Sequence, residues 1–336
     1  MIRVVHYGLG PIGAGIARVA AARAGIAIVG AIDVDPAKVG RDVGEVIGLE
    51  RKLGVLVSAD AAAVLDGTRP DVVIHATGSR LALVAPQLRQ VIAAGASLVS
   101  TCEELSFPFE SAPALAAELD GLARERGVGL LGTGINPGFA MDTLPLALTA
   151  VSQRVDTVRV QRRQDAARRR LPLQRKVGAG LTVAAFEERV RDGSVRHVGL
   201  PESVHALARG LGWKVERLAD EIEPVIATVE TRSADIVVAP GQVLGVRQVA
   251  TGIVGGRAAI TLQLEMYLGA ENPHDRIVVE GVPRIDVSVD EGTHGDLATA
   301  AILVNAIPSL LRARPGLRVM EELPLVHYGE TLHLED

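Results

Sequence analysis

Two acids stand side by side at Glu103 and Glu104, directly after the strand-like run Ser97-Leu-Val-Ser-Thr101. Carboxyl groups at the end of a buried strand suit proton transfer, because partial burial brings their titration toward neutral pH. Adjacent residues of an extended chain point to opposite sides, so one of the two is expected to face a pocket. The competing reading is a helix-start carboxylate that stabilises the turn it opens. Cys102, just before them, reads as a small filler rather than a nucleophile. A second group of residues could hold a phosphate. Gly8-Leu-Gly10-Pro11-Ile12-Gly13 joins a β-branched run to an Ala-rich helical pattern. That strand, turn and helix order is the context G-x-G-x-x-G requires. Gly8 allows the tight turn, Gly10 lets backbone approach a pyrophosphate, and Gly13 lets helix pack close to strand. The free N–H groups and dipole at the helix start then favour phosphate.

A second strand, Ile26-Ala-Ile-Val-Gly-Ala-Ile32, ends at Asp33. An acid about 20 residues beyond the glycines is where the ribose-binding carboxylate belongs. It bonds the ribose hydroxyls of NAD and repels a 2′-phosphate, so NAD is favoured over NADP. Lys38 and Arg41 lie close in sequence; they either soften that repulsion or form a solvated helix face. Thr77-Gly78-Ser79 follows the strand Asp71–Ala76, where a small polar loop passes beside the nicotinamide ribose or simply caps the next helix. His75, inside that strand, reads as a hydrogen-bonded core residue.

The elements that position these residues alternate. Short strands are expected at 53–58, 97–101 and 127–131 besides those above, with helices between them, one from about Ala112 to Arg126. This pattern predicts an α/β fold: a Rossmann-type, doubly wound parallel sheet with its ligands at the carboxyl ends of the strands. From about Asp142 the character changes. Val155–Val160 reads as a strand, Arg162–Arg170 as a solvated basic loop, and 183–192 and 201–211 as helices. Runs at 225–232, 242–252, 257–267, 275–279 and 284–289 read as consecutive strands, predicting a second α+β domain with a mixed, largely antiparallel sheet. The apolar helix from Gly295 to Pro308 is expected to return to the first domain. The boundaries are thus residues 1–140 with 295–336 for the dinucleotide domain and 141–294 for the substrate domain.

Composition narrows the partners. The 336-residue chain is long enough for two domains. Aromatic residues are only 2%, which argues against stacking platforms for nucleic acid. A net charge of -5 argues against a polyanionic partner. The single cysteine excludes an intrachain disulfide and a cysteine-based metal site, and no histidine pair has metal-ligand spacing, so no metal is expected. No uncharged apolar run reaches the ~18 residues of a membrane span. A strand that begins at residue 2 leaves no room for a leader, so a cytoplasmic location is expected.

Further candidates are less specific. Asn136-Pro-Gly138-Phe139, after the last strand of the first domain, either delivers an amide to the bound cofactor or serves as a hinge turn. Lys176-Val-Gly-Ala-Gly180 lacks the strand context of a phosphate loop, leaving a substrate-contacting and a structural role open. His197 and Thr299 complete the candidates for a substrate pocket, although an isolated histidine is also an ordinary surface residue.

Five blocks together resemble the 2,4-diaminopentanoate dehydrogenase family, which includes native amine dehydrogenases: Gly8–Gly13, Ala31–Pro36, Ser100–Leu105, Gly132–Gly138 and Asp296–Pro308. Its N-terminal domain is similar to dihydrodipicolinate reductase, whose histidine-rich catalytic helix and Lys with Ser-Gly-Thr are not found here. The resemblance implies NAD(P)-dependent oxidative deamination of an amine, or reductive amination of a ketone or aldehyde with ammonia, by a homodimer. It places the key carboxylate on Glu104, with Glu103 as fallback. It puts the pocket wall between Asn136 and Asp142, with Phe139 and Met141 in it. Methionine where a bulky aromatic is expected implies a roomier pocket. A reductase of cyclic imines, semialdehydes or other carbonyls on the same scaffold is the alternative.

Overall fold

The computed structural model describes residues 1–332. The chain divides into two compact units, one made of Met1–Phe139 and the chain from His294 onward, the other of Ala140–Thr293.

In the first unit strands and helices alternate: β1 (Ile2–Tyr7), α1 (Pro11–Ala22), β2 (Ile26–Ile32), α2 (Val43–Val46), β3 (Val57–Ser58), α3 (Ala61–Thr68), β4 (Val72–His75), α4 (Leu81–Ala93), β5 (Ser97–Ser100), α5 (Pro113–Arg126) and β6 (Gly129–Gly132). The returning chain adds a helix, Gly295–Arg312, and a short strand, Gly316–Arg318. Among the described residues seven strands form one parallel sheet in the order 316–318, β6, β5, β4, β1, β2, β3. Its strands are almost wholly apolar because both faces are covered. Val5, Val73, Leu98 and Leu130 enter one core with Leu88 and Leu119. Their neighbours Val4, Val72, Val99 and Leu131 enter the opposite core with Ile16, Leu303 and Ile307. Strand order reverses between β1 and β4, so the ligand crevice of such a sheet lies at their carboxyl ends.

The second unit holds α6 (Thr143–Leu148), β7 (Arg154–Asp165), α7 (Leu171–Lys176), α8 (Val183–Arg191), α9 (Leu200–Gly210), β8 (Arg217–Ile226), the short pair β9 (Thr231–Arg232) and β10 (Val237–Val238), β11 (Val243–Val254), β12 (Arg257–Tyr267), β13 (His274–Val282) and β14 (Ile285–Asp290). Among the described residues six strands form a sheet in the order β14, β13, β7, β12, β11, β8, with β7–β12 its one parallel pair. Helix α9 covers β8, β11 and β12; its Val204 lies where a side chain on Gly252 would be.

Two expectations are corrected here. Arg162–Asp165 is the end of β7, not a solvated loop. Val158, Val160, Arg162 and Gln164 are buried in alternation, so the strand period continues through polar residues. The Arg162 guanidinium meets Asp275 Oδ2 at 2.5 Å, and both groups also bond Thr293 backbone. An internal ion pair and backbone bonds make the burial of arginine tolerable. Strand β8 also begins earlier than expected, at Arg217, and ends at Ile226.

Candidate active site

The glycine turn joins β1 to α1. Gly8 has φ of 96°, and a Cβ there would lie 2.5 Å from the Ala76 carbonyl oxygen. A Cβ on Gly13 would collide with the carbonyl oxygen of Gly8. Gly10, the N-cap of α1, has open space where its Cβ would stand. No side chain caps this helix, and Pro11 occupies its first turn. The N–H groups of Ile12 and Gly13 are therefore available to an anion. A turn that would be filled by any side chain, opening onto an uncapped helix start, fits a dinucleotide pyrophosphate.

Asp33 is tied to that turn. Its Oδ2 accepts the Leu9 N–H at 2.7 Å and its Oδ1 the Asp35 N–H at 2.9 Å. Lys38 Nζ lies 3.1 Å from Asp33 and 3.3 Å from Asp35. Burial alone would raise the Asp33 carboxyl; the two backbone N–H groups and the Lys38 ammonium outweigh it and hold the group below its ordinary value. Residues 36–40 form turns, so Lys38 is not on a helix face, and its side chain is only 23% exposed. Arg41 is exposed. Asp33 is thus half-neutralised by a lysine that sequence spacing identified without fixing its partner.

Glu103–Ser106 forms a 3₁₀ turn after β5. It lies against β6, because a Cβ on Gly132 would stand 2.5 Å from the Leu105 carbonyl carbon and Ser106 N. It is also fastened to the loop after β4. Glu104 N–H donates to Ser79 O at 3.3 Å. The Glu104 carboxylate accepts from Arg80 Nη1 at 2.9 Å and from Leu81 N–H, the first residue of α4, at 2.7 Å. Both of its oxygens therefore serve the start of α4. Successive residues of a 3₁₀ turn stand about 120° apart, so the half-buried Glu103 points elsewhere. Cys102 is buried in the core, and burial pushes its thiol up to about 12, which removes it as a nucleophile.

His75 ends β4 and is fully buried. Its Nδ1 is 2.8 Å from Ser100 Oγ, and its Nε2 is 2.8 Å from both Gln87 Oε1 and Thr77 Oγ1. Burial lowers its pKa to about 4, so the ring is neutral at pH 7. Thr77 and Gly78 are exposed and Ser79 half-buried, at the carboxyl end of β4.

The remaining candidates fall into separate places. Asn136 lies in the buried turn after β6, and Thr299 on the returning helix accepts the Ile135 N–H of that turn at 3.3 Å. Phe139 is half-buried against the same helix-covered core. In the second unit Met141 is fully buried. His197 is held by Gln248, which accepts its N–H at 2.9 Å and donates to its carbonyl at 3.2 Å. Lys176 is exposed at the end of α7, which does not fit an enclosed pocket; the buried side chain of that helix is Gln174. Arg80 and Gln87 were not singled out by sequence, and Ser100 and Gly132 only as parts of longer blocks, because each acts through a contact with a separate segment that no local pattern encodes.

A parallel doubly wound sheet with this turn, this acid and this uncapped helix fits the dinucleotide-binding class of α/β proteins. Comparison with known proteins narrows the class. Residues 2–102 match the dihydrodipicolinate reductase N-terminal family, and residues 139–331 match the 2,4-diaminopentanoate dehydrogenase C-terminal domain. A 2,4-diaminopentanoate dehydrogenase of Acetoanaerobium sticklandii is 30% identical, over 96% of this chain and 94% of the relative. An amine dehydrogenase of Streptomyces virginiae is 29% identical over 97% of each. The solved structure of an amine dehydrogenase from Mycobacterium smegmatis superposes with a TM-score of 0.88 at 32% identity, covering 98% of both chains. The chain belongs to the 2,4-diaminopentanoate dehydrogenase family.

Proposed function

We propose that this protein is an NAD(P)-dependent amine dehydrogenase acting on a small primary amine or diamino acid. A substrate ammonium, water and oxidised cofactor become a carbonyl compound, ammonium, reduced cofactor and one proton; the reverse is reductive amination with ammonia. The observation that carries this reading is the acid turn Glu103–Ser106 fastened to the loop Thr77–Arg80, both at strand ends beside the glycine turn. Bound nicotinamide supplies or accepts the hydride. The chain's own residues do the rest. Gly8, Gly10, Ile12 and Gly13 hold the pyrophosphate and Asp33 the adenosine ribose. Thr77, Gly78, Ser79 and Asn136 flank the nicotinamide end. The proton-handling role belongs to this acid turn, on Glu104 with Glu103 as the alternative. The acting carboxylate removes a proton from the substrate ammonium, releases it to solvent, and then takes one from the water that adds to the imine carbon.

The test is an assay of NAD⁺ and NADP⁺ reduction with a panel of amines against the matching alcohols. Turnover with amines and not alcohols is expected. Glu104→Gln should lower kcat by about 10²-fold or more while leaving NADH binding intact. An active Glu104→Gln beside an inactive Glu103→Gln would pass the role to Glu103. We also infer a cytoplasmic homodimer. The sheet face of the second unit opposite α9, with Arg159 exposed and Gln161, Arg163, Arg247 and Thr261 half-exposed, offers a surface for a second copy. Light scattering measures that mass directly.

A further inference from the structure

Ser100 Oγ already accepts the Cys102 N–H at 3.0 Å, so its own hydrogen is free to point at His75 Nδ1. His75 Nε2 then carries the ring proton and donates it to Gln87 Oε1, which has no proton of its own. The Thr77 hydroxyl donates to the same Gln87 oxygen at 2.5 Å. The Nε2 hydrogen lies between Gln87 Oε1 and Thr77 Oγ1, and the tautomer with its proton on Nε2 satisfies the network. The ring also packs edge-on against Tyr7, with centroids 5.6 Å apart, which fixes its plane.

The two ends of this network lie on different loops. One nitrogen of His75 reaches, through Ser100, the Cys102 N–H, one residue before the acid Glu103. The other reaches Gln87 and Thr77, the latter in the loop that flanks the nicotinamide ribose. Both loops leave neighbouring parallel strands, β4 and β5, which pair with His75 opposite Ser100. The sheet alone sets where the loops start; side-chain bonds set where they go.

We propose that His75 is a positioning residue for the reaction. It sets the acid turn and the cofactor loop at a common spacing through two separate hydrogen bonds, neither of which reaches substrate. The proposal rests on the dehydrogenase reading above. The two ring nitrogens have different roles. Nδ1 governs the acid turn and therefore kcat, and Nε2 governs the cofactor loop and therefore cofactor affinity.

Three substitutions separate these roles. In His75→Asn a side-chain oxygen can accept from Ser100, while the Gln87 arm is lost. In His75→Gln a side-chain N–H can reach Gln87, while the Ser100 arm is lost. His75→Leu loses both. The asparagine variant should keep kcat within about threefold and raise the cofactor Kd and KM about tenfold. The glutamine variant should do the reverse, with Kd near that of the parent and kcat about tenfold lower. Loss of both in parallel by the leucine variant is expected; should it fail to fold, the other two still carry the comparison. Equal changes in kcat and Kd across the asparagine and glutamine variants, or parental values in both, would overturn the proposal. Cofactor Kd is read by NADH fluorescence without any amine. Failure of the dehydrogenase reading would therefore appear as absent turnover in the parent protein, with the Nε2 arm still measurable.

Discussion

Lys38 shows how one side chain can alter a cofactor preference that spacing alone predicts. Its ammonium lies between Asp33 and Asp35. A 2′-phosphate at this ribose meets two carboxylates and one cation. Removing the cation leaves repulsion of about 1 kcal/mol per close charge in water, or roughly fivefold in affinity. Lys38→Ala is therefore expected to lower kcat/KM for NADP⁺ about fivefold and to change NAD⁺ much less. Steady-state kinetics with both cofactors decides it, and an unchanged ratio would mean that Lys38 does not face the phosphate. Asp33 was legible in the sequence because the distance from glycine turn to second strand end is set by a helix and two short loops. The Lys38 pairing was not, because residues 36–40 are turns, and turn geometry decides where a side chain points. The two acids were legible as a pair. Which one clamps α4 depended on the loop after β4 reaching them.

Among the elements, the glycine turn divides its labour in a way two variants can separate. Gly10 has φ of -62° and open space at its Cβ, so Gly10→Ala should fold with an unchanged melting temperature. If the pyrophosphate binds at this turn as proposed, the added methyl would take its place and the NADH Kd should rise at least tenfold. Gly13→Ala presses on the Gly8 carbonyl and should lower the melting temperature as well. Paired thermal melts and fluorescence titrations check both; a cofactor Kd unaffected by Gly10→Ala would move the binding site elsewhere. Strand-and-helix alternation in the first unit was readable because buried parallel strands are short apolar runs. Strand β7 was not readable beyond Val160 because its buried residues become Arg162 and Gln164. Alternation of burial was intact there, but alternation of hydrophobicity was not. Asp275, on β13, is what makes that burial possible, and it lies 113 positions away.

At the scale of the whole molecule, pH should act on the first unit through its two buried histidines. His6 is fully buried, and neither ring nitrogen has a hydrogen-bond partner among the described residues. Burial lowers both His6 and His75 to about 4. A lowered histidine pKa means that the unfolded chain takes up protons first. The stabilisation is complete above pH 6.5 and is lost progressively down to about pH 4. Each histidine contributes roughly 3 kcal/mol to that loss. His6→Leu should flatten the dependence, and urea midpoints measured from about pH 7.5 to about pH 4.5 for both proteins test it. An equally steep curve in the variant would assign the acid sensitivity to other groups.

The sequence by itself determined the alternation of elements, the glycine turn, the acid at its proper distance and the pair of carboxylates after β5. Each of these is encoded within a few residues, by backbone freedom, by apolar runs or by the length of one helix. Tertiary structure decided the rest: that Lys38 half-neutralises Asp33, that Glu104 holds α4, that His75 bonds two loops, and that Arg162 is interior. Those outcomes depend on groups brought together from distant parts of the chain, where burial makes an unpaired charge or hydrogen bond costly and so selects the partner.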